Sequence, residues 1–167
     1  MKTPFGLFGR RDSPPPGPAP QEAQRALSLL GPEDAFSVGL PGVAICGFLI
    51  GPDISEANFR PNRVFIDFMH QFIASAGPSD SSLRSAARAQ RDGYVYVIDL
   101  RTPEGPQGRV PPEDIVGGFK VEEGILVVGG YWANPAHKVY TKNGLVRLPP
   151  SLHSALIVAL KKGEAAS

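Results

Sequence analysis

The sequence predicts an α+β fold: a single domain with a mixed or antiparallel sheet of four to six strands, packed with about four helices. Three observations predict it. Residues 94–98 (YVYVI) form an apolar strand run, residues 63–76 and 151–162 carry apolar stripes at helical spacing, and Glu122–Gly124 and Asn143-Gly144 are placed as hairpin turns. A chain of 167 residues suffices for one hydrophobic core.

Composition narrows the functional classes. Hydrophobic residues make up 42% and charged residues 20%, which excludes a wholly disordered chain. Seventeen basic and 16 acidic residues leave a net charge of +1 with no run of Lys and Arg, so a nucleic-acid partner is not expected. Cys46 is the single cysteine and sits in an apolar run, which reads as a buried thiol and removes any Cys-based metal site. His70, His137 and His153 lack paired spacing, so no metal is expected either. No stretch is long and apolar enough to span a membrane. The opening MKTPFGLFGRR is interrupted by Pro4, Gly6 and Gly9, and it lacks the apolar core of a signal peptide. A cytoplasmic location is expected, and secretion by a signal-independent route is compatible with it.

Taken in order, residues 1–21 read as a flexible Pro-rich leader, because Pro14, Pro15, Pro16, Pro18 and Pro20 lock φ and lack a donor. It is either a linker or a docking segment. Residues 22–163 are expected to form the single domain. Ala23, Ala26, Leu27 and Leu30 fall at helical spacing, ended by Gly31-Pro32, and predict a short helix. Val43–Ile50 reads as a buried strand. Val64, Phe65, Phe68, Met69, Phe72 and Ile73 predict an amphipathic helix ended by Gly77-Pro78, with His70 off the stripe at the surface or boundary. A second helix starts at Ser79 or Asp80 and ends before Gly93. Its Arg84, Arg88 and Arg91 form the most concentrated basic face, where an acidic partner would bind.

Residues 94–100 are apolar on both sides, which predicts a central strand with Asp99 at its end. Pro103, Gly105, Pro106, Gly108, Pro111 and Pro112 then impose a loop. Two strands meeting at Glu122–Gly124 follow, and a second hairpin turns at Asn143-Gly144. Trp132, Asn134 and His137 fall in an irregular stretch; Trp132 and His137 are candidates for a binding platform. The last helix is expected to be capped by Ser151 and to bury Leu152, Ala155, Leu156, Ala159 and Leu160; residues 164–167 are a frayed tail. No internal repeat is visible.

No GxSxG elbow, Walker loop or HExxH is present. Residues 93–99 (GYVYVID), followed by RVPPEDIVGGFKVEEG at 109–124, resemble the C-terminal part of pertussis-toxin-like mono-ADP-ribosyltransferases, over roughly a fifth of the chain. FIASAG at 72–77 is set against that family's Ser-Thr-Ser strand. The resemblance implies NAD as cofactor, Glu104 and Asp99 as catalytic acids, and Ser75 as an NAD-binding hydroxyl. Glu104 is flanked two positions away by Thr102 and Pro106 rather than Gln or Glu, and residues 39–51 contain no arginine. The preferred class is therefore a small cytoplasmic binding or regulatory protein, non-catalytic and without cofactor. It would engage a protein partner, as a bacterial accessory, immunity or effector-associated protein does. The alternative is an ADP-ribosyltransferase-like enzyme or toxin domain acting on NAD.

Overall fold

Two three-stranded antiparallel sheets carry the architecture, seen in a computed structural model that describes residues 24–163. The expected leader and frayed tail lie outside the described residues. The first sheet contains β1 (Gln24–Ser28), β2 (Ile45–Ile50) and β3 (Phe59–Pro61), in that spatial order. The second contains β4 (Gly93–Ile98), β5 (Ile115–Glu122) and β6 (Ile125–Ala133), again in order. A short ribbon pairs β7 (Tyr140–Thr141) with β8 (Gly144–Leu145). Four helices complete the α+β fold: α1 (Pro32–Val38), α2 (Arg63–Ala76), α3 (Ser81–Gln90) and α4 (Pro150–Lys162). The class is the expected one, but the strands divide among three small sheets.

The sheets are two copies of one unit. Gln24 pairs with Ile50 and Ser28 with Ile45; seventy positions later Tyr94 pairs with Lys120 and Ile98 with Ile115, each copy with a register shift before the last pair. Each central strand enters from a single 3-10 turn, Gly42–Ala44 or Pro112–Asp114, and an asparagine holds its start. Asn62 donates from Nδ2 to the carbonyls of Gly42 (3.2 Å) and Ile45 (2.8 Å), and Asn134 donates to Pro112 (2.9 Å) and Ile115 (2.8 Å). Their backbone amides donate to Cys46 and Val116. Gly47 and Gly117 also match: a Cβ on Gly47 would lie 2.4 Å from the Arg60 carbonyl and from the Phe59 ring, and one on Gly117 would lie 2.5 Å from the Trp132 carbonyl and the Tyr131 hydroxyl. The repeat is not visible in the sequence because it rests on few shared residues, among them Leu30/Leu100, Pro41/Pro111, Ile45/Ile115, Gly47/Gly117 and Asn62/Asn134.

Several local expectations are corrected. Residues 24–28 form a strand, not a helix: two turns of helix are marginal by themselves, whereas pairing along β2 satisfies backbone groups on both strands. β4 is an edge strand, and the glycine-bearing β5 is central. Asn143-Gly144 does not form the two-residue loop of its hairpin; the Thr141↔Gly144 pairing makes Lys142-Asn143 the loop. Ser151 does not cap α4, which starts from Pro149; its hydroxyl lies 2.5 Å from Asp80 Oδ2. Val64 and Ala155 are exposed.

The helices close one core. Asn62 and Asp80 cap α2 and α3 by accepting from Val64 and Leu83. The buried stripe of α2, Phe65, Phe68, Met69, Phe72 and Ile73, packs against both sheets and α4. Phe119 of β5 sits so close over Gly77 that a Cβ there would lie 2.3 Å from its ring. The buried apolar residues of both repeats form a single cluster.

Candidate functional site

Beyond its asparagine, each repeat continues differently, and this difference builds the buried polar centre. Asn62 opens α2, whose backbone satisfies itself. Asn134 opens an irregular segment instead, with Ala136 donating to its Oδ1. Carbonyls in such a segment need donors when buried. Arg101 supplies them: Nη1 donates to the carbonyls of Val139 (2.9 Å) and Gly144 (2.8 Å), and Nη2 to those of Glu113 and Lys138. Its Nε lies 3.0 Å from Asp114 Oδ1 and 3.3 Å from Asp99 Oδ2.

Asp99 ties this centre to two further segments. Its Oδ1 accepts from the amides of Arg101 (3.2 Å) and Arg147 (3.0 Å), and its Oδ2 lies 3.1 Å from His137 Nε2. The side chains of Asp99 and His137 are 0% and 2% exposed, so neither offers a reactive atom to solvent. The first repeat has Leu29, Gly31 and Ala44 where the second has Asp99, Arg101 and Asp114. Arg101 and Asp114 were not singled out from the sequence; an arginine following a strand-end aspartate was the available signal.

Of the sequence-predicted site residues, the structure brings together only Asp99 and His137. Glu104 stands in the proline loop, where its carboxylate accepts from the Arg109 amide at 2.9 Å. A shallow opening of about 350 Å³ beside it is lined by Pro103, Glu104, Arg109 and Val110–Pro112, with neither Asp99 nor Ser75. Ser75 is exposed in the last turn of α2, so the segment set against a Ser-Thr-Ser strand is helical here. Arg84 and Arg88 are exposed on α3. Among the described residues, no cluster of three His, Cys, Asp or Glu side chains is placed to hold a metal, and no helix is long and apolar enough to cross a membrane.

His70 is held between the repeats. Its Nδ1 lies 2.6 Å from the Tyr131 hydroxyl across α2 and β6. Burial lowers the imidazole pKa to about 4, reinforced by His137 and Arg63 and opposed by Asp67, and burial raises that of the phenol. Both groups therefore stay neutral near pH 7 and share one hydrogen bond. Burial also pushes the Cys46 thiol up to about 12, so it stays protonated and unreactive.

The outer face of the second sheet presents a group of half-exposed aromatic side chains. Residues paired across an antiparallel sheet share a face. Tyr96 pairs with Gly118 and Gly118 with Trp132, while Tyr94 pairs with Lys120. Tyr94, Tyr96 and Trp132 thus stand on one side and are 47%, 51% and 47% exposed. Their opposite numbers Val95, Phe119 and Tyr131 turn to the interior. The two tyrosine rings stack at 6.4 Å with 19° between planes. Trp132, singled out from the sequence, belongs to this face; Tyr94 and Tyr96 were expected inside a central strand. The strand alternation separates them from Val95 and Val97, and they are exposed because no layer of the described residues covers this face, where Lys120 of the central strand is exposed as well.

Comparisons with protein-family models, with curated proteins and with solved structures gave no match.

Proposed function

We propose that this chain is a binding or regulatory protein that engages a protein partner through the outer face of the β4–β6 sheet. The observation that carries the reading is the set of three half-exposed aromatic side chains, Tyr94, Tyr96 and Trp132, on one rigid sheet face. Tyrosine and tryptophan bring large contact area and a hydrogen-bonding tip, with few rotamers to immobilise on binding. The interior of the same sheet is filled by Val95, Val97, Phe119 and Val121, so the platform is held before any partner arrives. The Asp99–Arg101–Asp114 centre instead bonds inward to its own loops.

The test is recovery from native lysate with the intact chain and with a Tyr96→Ala/Trp132→Ala variant that retains its far-UV circular dichroism. A partner held by the intact chain and lost by the variant supports the reading. Equal recovery by both, or no partner with either, removes this face from the function.

A further inference from the structure

We propose that the pocket between the two repeats at His137 binds a small, uncharged ring compound carrying one hydrogen-bond donor, a phenol or a heteroaryl N–H. The site is separate from the aromatic face and does not depend on it. The pocket holds about 230 Å³, and a cavity of roughly 150 Å³ already takes benzene. Its apolar wall joins Phe59 of β3 and Ile66 of α2 to Val139 and Tyr140, which follow the second sheet. The rings of Phe59 and Tyr140 meet at 5.0 Å with 36° between planes, a surface that suits another ring. Lys138 and Glu56 also line the pocket, but their charges answer each other at 2.9 Å, so it calls for no ionic ligand.

His137 supplies the polar contact. Asp99 Oδ2 lies 3.1 Å from Nε2, and a carboxylate only accepts, so Nε2 carries the proton and the neutral ring keeps its lone pair on Nδ1. No group among the described residues bonds Nδ1. Thr102 Oγ1 is the one unpartnered side-chain polar atom among them that is sealed from solvent, so Nδ1 is reached from outside. The His137 side chain is 2% exposed, which confines that access to a narrow opening, and the pocket is an opening that His137 lines. A ring seated against Phe59 and Tyr140 donates its O–H or N–H to Nδ1 and satisfies that acceptor away from bulk solvent. Asp99 is itself held by the amides of Arg101 and Arg147, so the imidazole is in place before a ligand arrives.

The experiment titrates phenol into the intact chain, with toluene as a ring of similar size that lacks the donor. Proton–nitrogen correlation NMR reads both the backbone amides and the imidazole nitrogens. Phenol is expected to saturate at millimolar concentration, to shift the amides of Val139 and Tyr140 together with His137 Nδ1, and to bind about fivefold or more tighter than toluene. His137→Gln keeps a donor toward Asp99 but has no acceptor at the Nδ1 position, and it is expected to bind the two compounds alike. Ile66→Phe fills the pocket and is expected to lose both, with the His137 nitrogen signals unmoved. The absence of a saturable shift with phenol, or shifts confined to other residues, overturns the inference. So does toluene binding the intact chain as well as phenol, or a preference for phenol that survives in His137→Gln, because either result removes Nδ1 from the site. Undiminished phenol binding by Ile66→Phe would place the ligand elsewhere and overturn it as well.

Discussion

Asn134 joins three parts of the second repeat through one side chain: the carbonyls of Pro112 and Ile115, and the amide of Ala136. Replacing it with alanine leaves carbonyls at a partly buried turn without donors, so Asn134→Ala is expected to cost about 2–3 kcal/mol in urea unfolding. Asn62→Ala should cost less, about 1–2 kcal/mol, because water can reach the Gly42 carbonyl and replace that bond. Reversed magnitudes would show that access of water to the Gly42 carbonyl does not set the difference. Arg101 is a more demanding case. Arg101→Met removes the donors for four carbonyls and leaves Asp99 and Asp114 buried beside each other's charge; a loss of about 3–5 kcal/mol is expected. Arg101→Lys should recover little, since an ammonium cannot reproduce the planar fork, and chemical denaturation of both variants checks this.

Among the elements, β5 and α2 carry the tightest constraints. On β5, Gly117→Ala puts a methyl against the Trp132 carbonyl and the Tyr131 ring of its own hairpin partner. Neither is a flexible chain end. The expected cost is about 1–3 kcal/mol, read as a lower unfolding midpoint without a change in denaturant slope. Between α2 and β6, His70 supplies a pH dependence. Its folded pKa of about 4 lies below its ordinary 6.5, so the unfolded chain takes up the proton first. Stability from this group is complete above pH 6.5 and is lost as pH falls from there toward 4. A His70→Gln variant should therefore show a flatter stability profile between pH 7.5 and 5 than the unaltered chain. Identical slopes would mean that His70 is reached by solvent and protonates freely.

At the scale of the molecule, the two matching sheets do not make two cores. α2 follows the first sheet in sequence, yet Phe119 and Tyr131 of the second sheet pack on its end and its side. The buried residues of both repeats belong to one cluster. Unfolding should accordingly be a single transition, with Trp132 fluorescence and far-UV circular dichroism superimposing across a urea titration. Separate transitions would identify the repeats as independent units. Because α2 needs both sheets, peptides covering residues 24–91 and 92–163 are each expected to remain unfolded alone.

Much of this architecture was legible from local chemistry. The α2 stripe, the Asp80 cap, the buried Cys46 and the Glu122–Gly124 turn each follow from periodicity, capping or turn preference within a few residues. The sequence by itself determined the α+β class, the places of three of the four helices, and the alternation that separates Tyr94 and Tyr96 from Val95 and Val97. Only the tertiary structure decided that residues 24–28 become a strand, that β4 lies at an edge with its tyrosines in solvent, and that Asp99 closes onto Arg101, Asp114 and His137. Each of those outcomes depends on which distant backbone or side chain satisfies a given group. Pairing and burial partners of that kind come from segments far apart in the chain, and short-range periodicity carries no record of them.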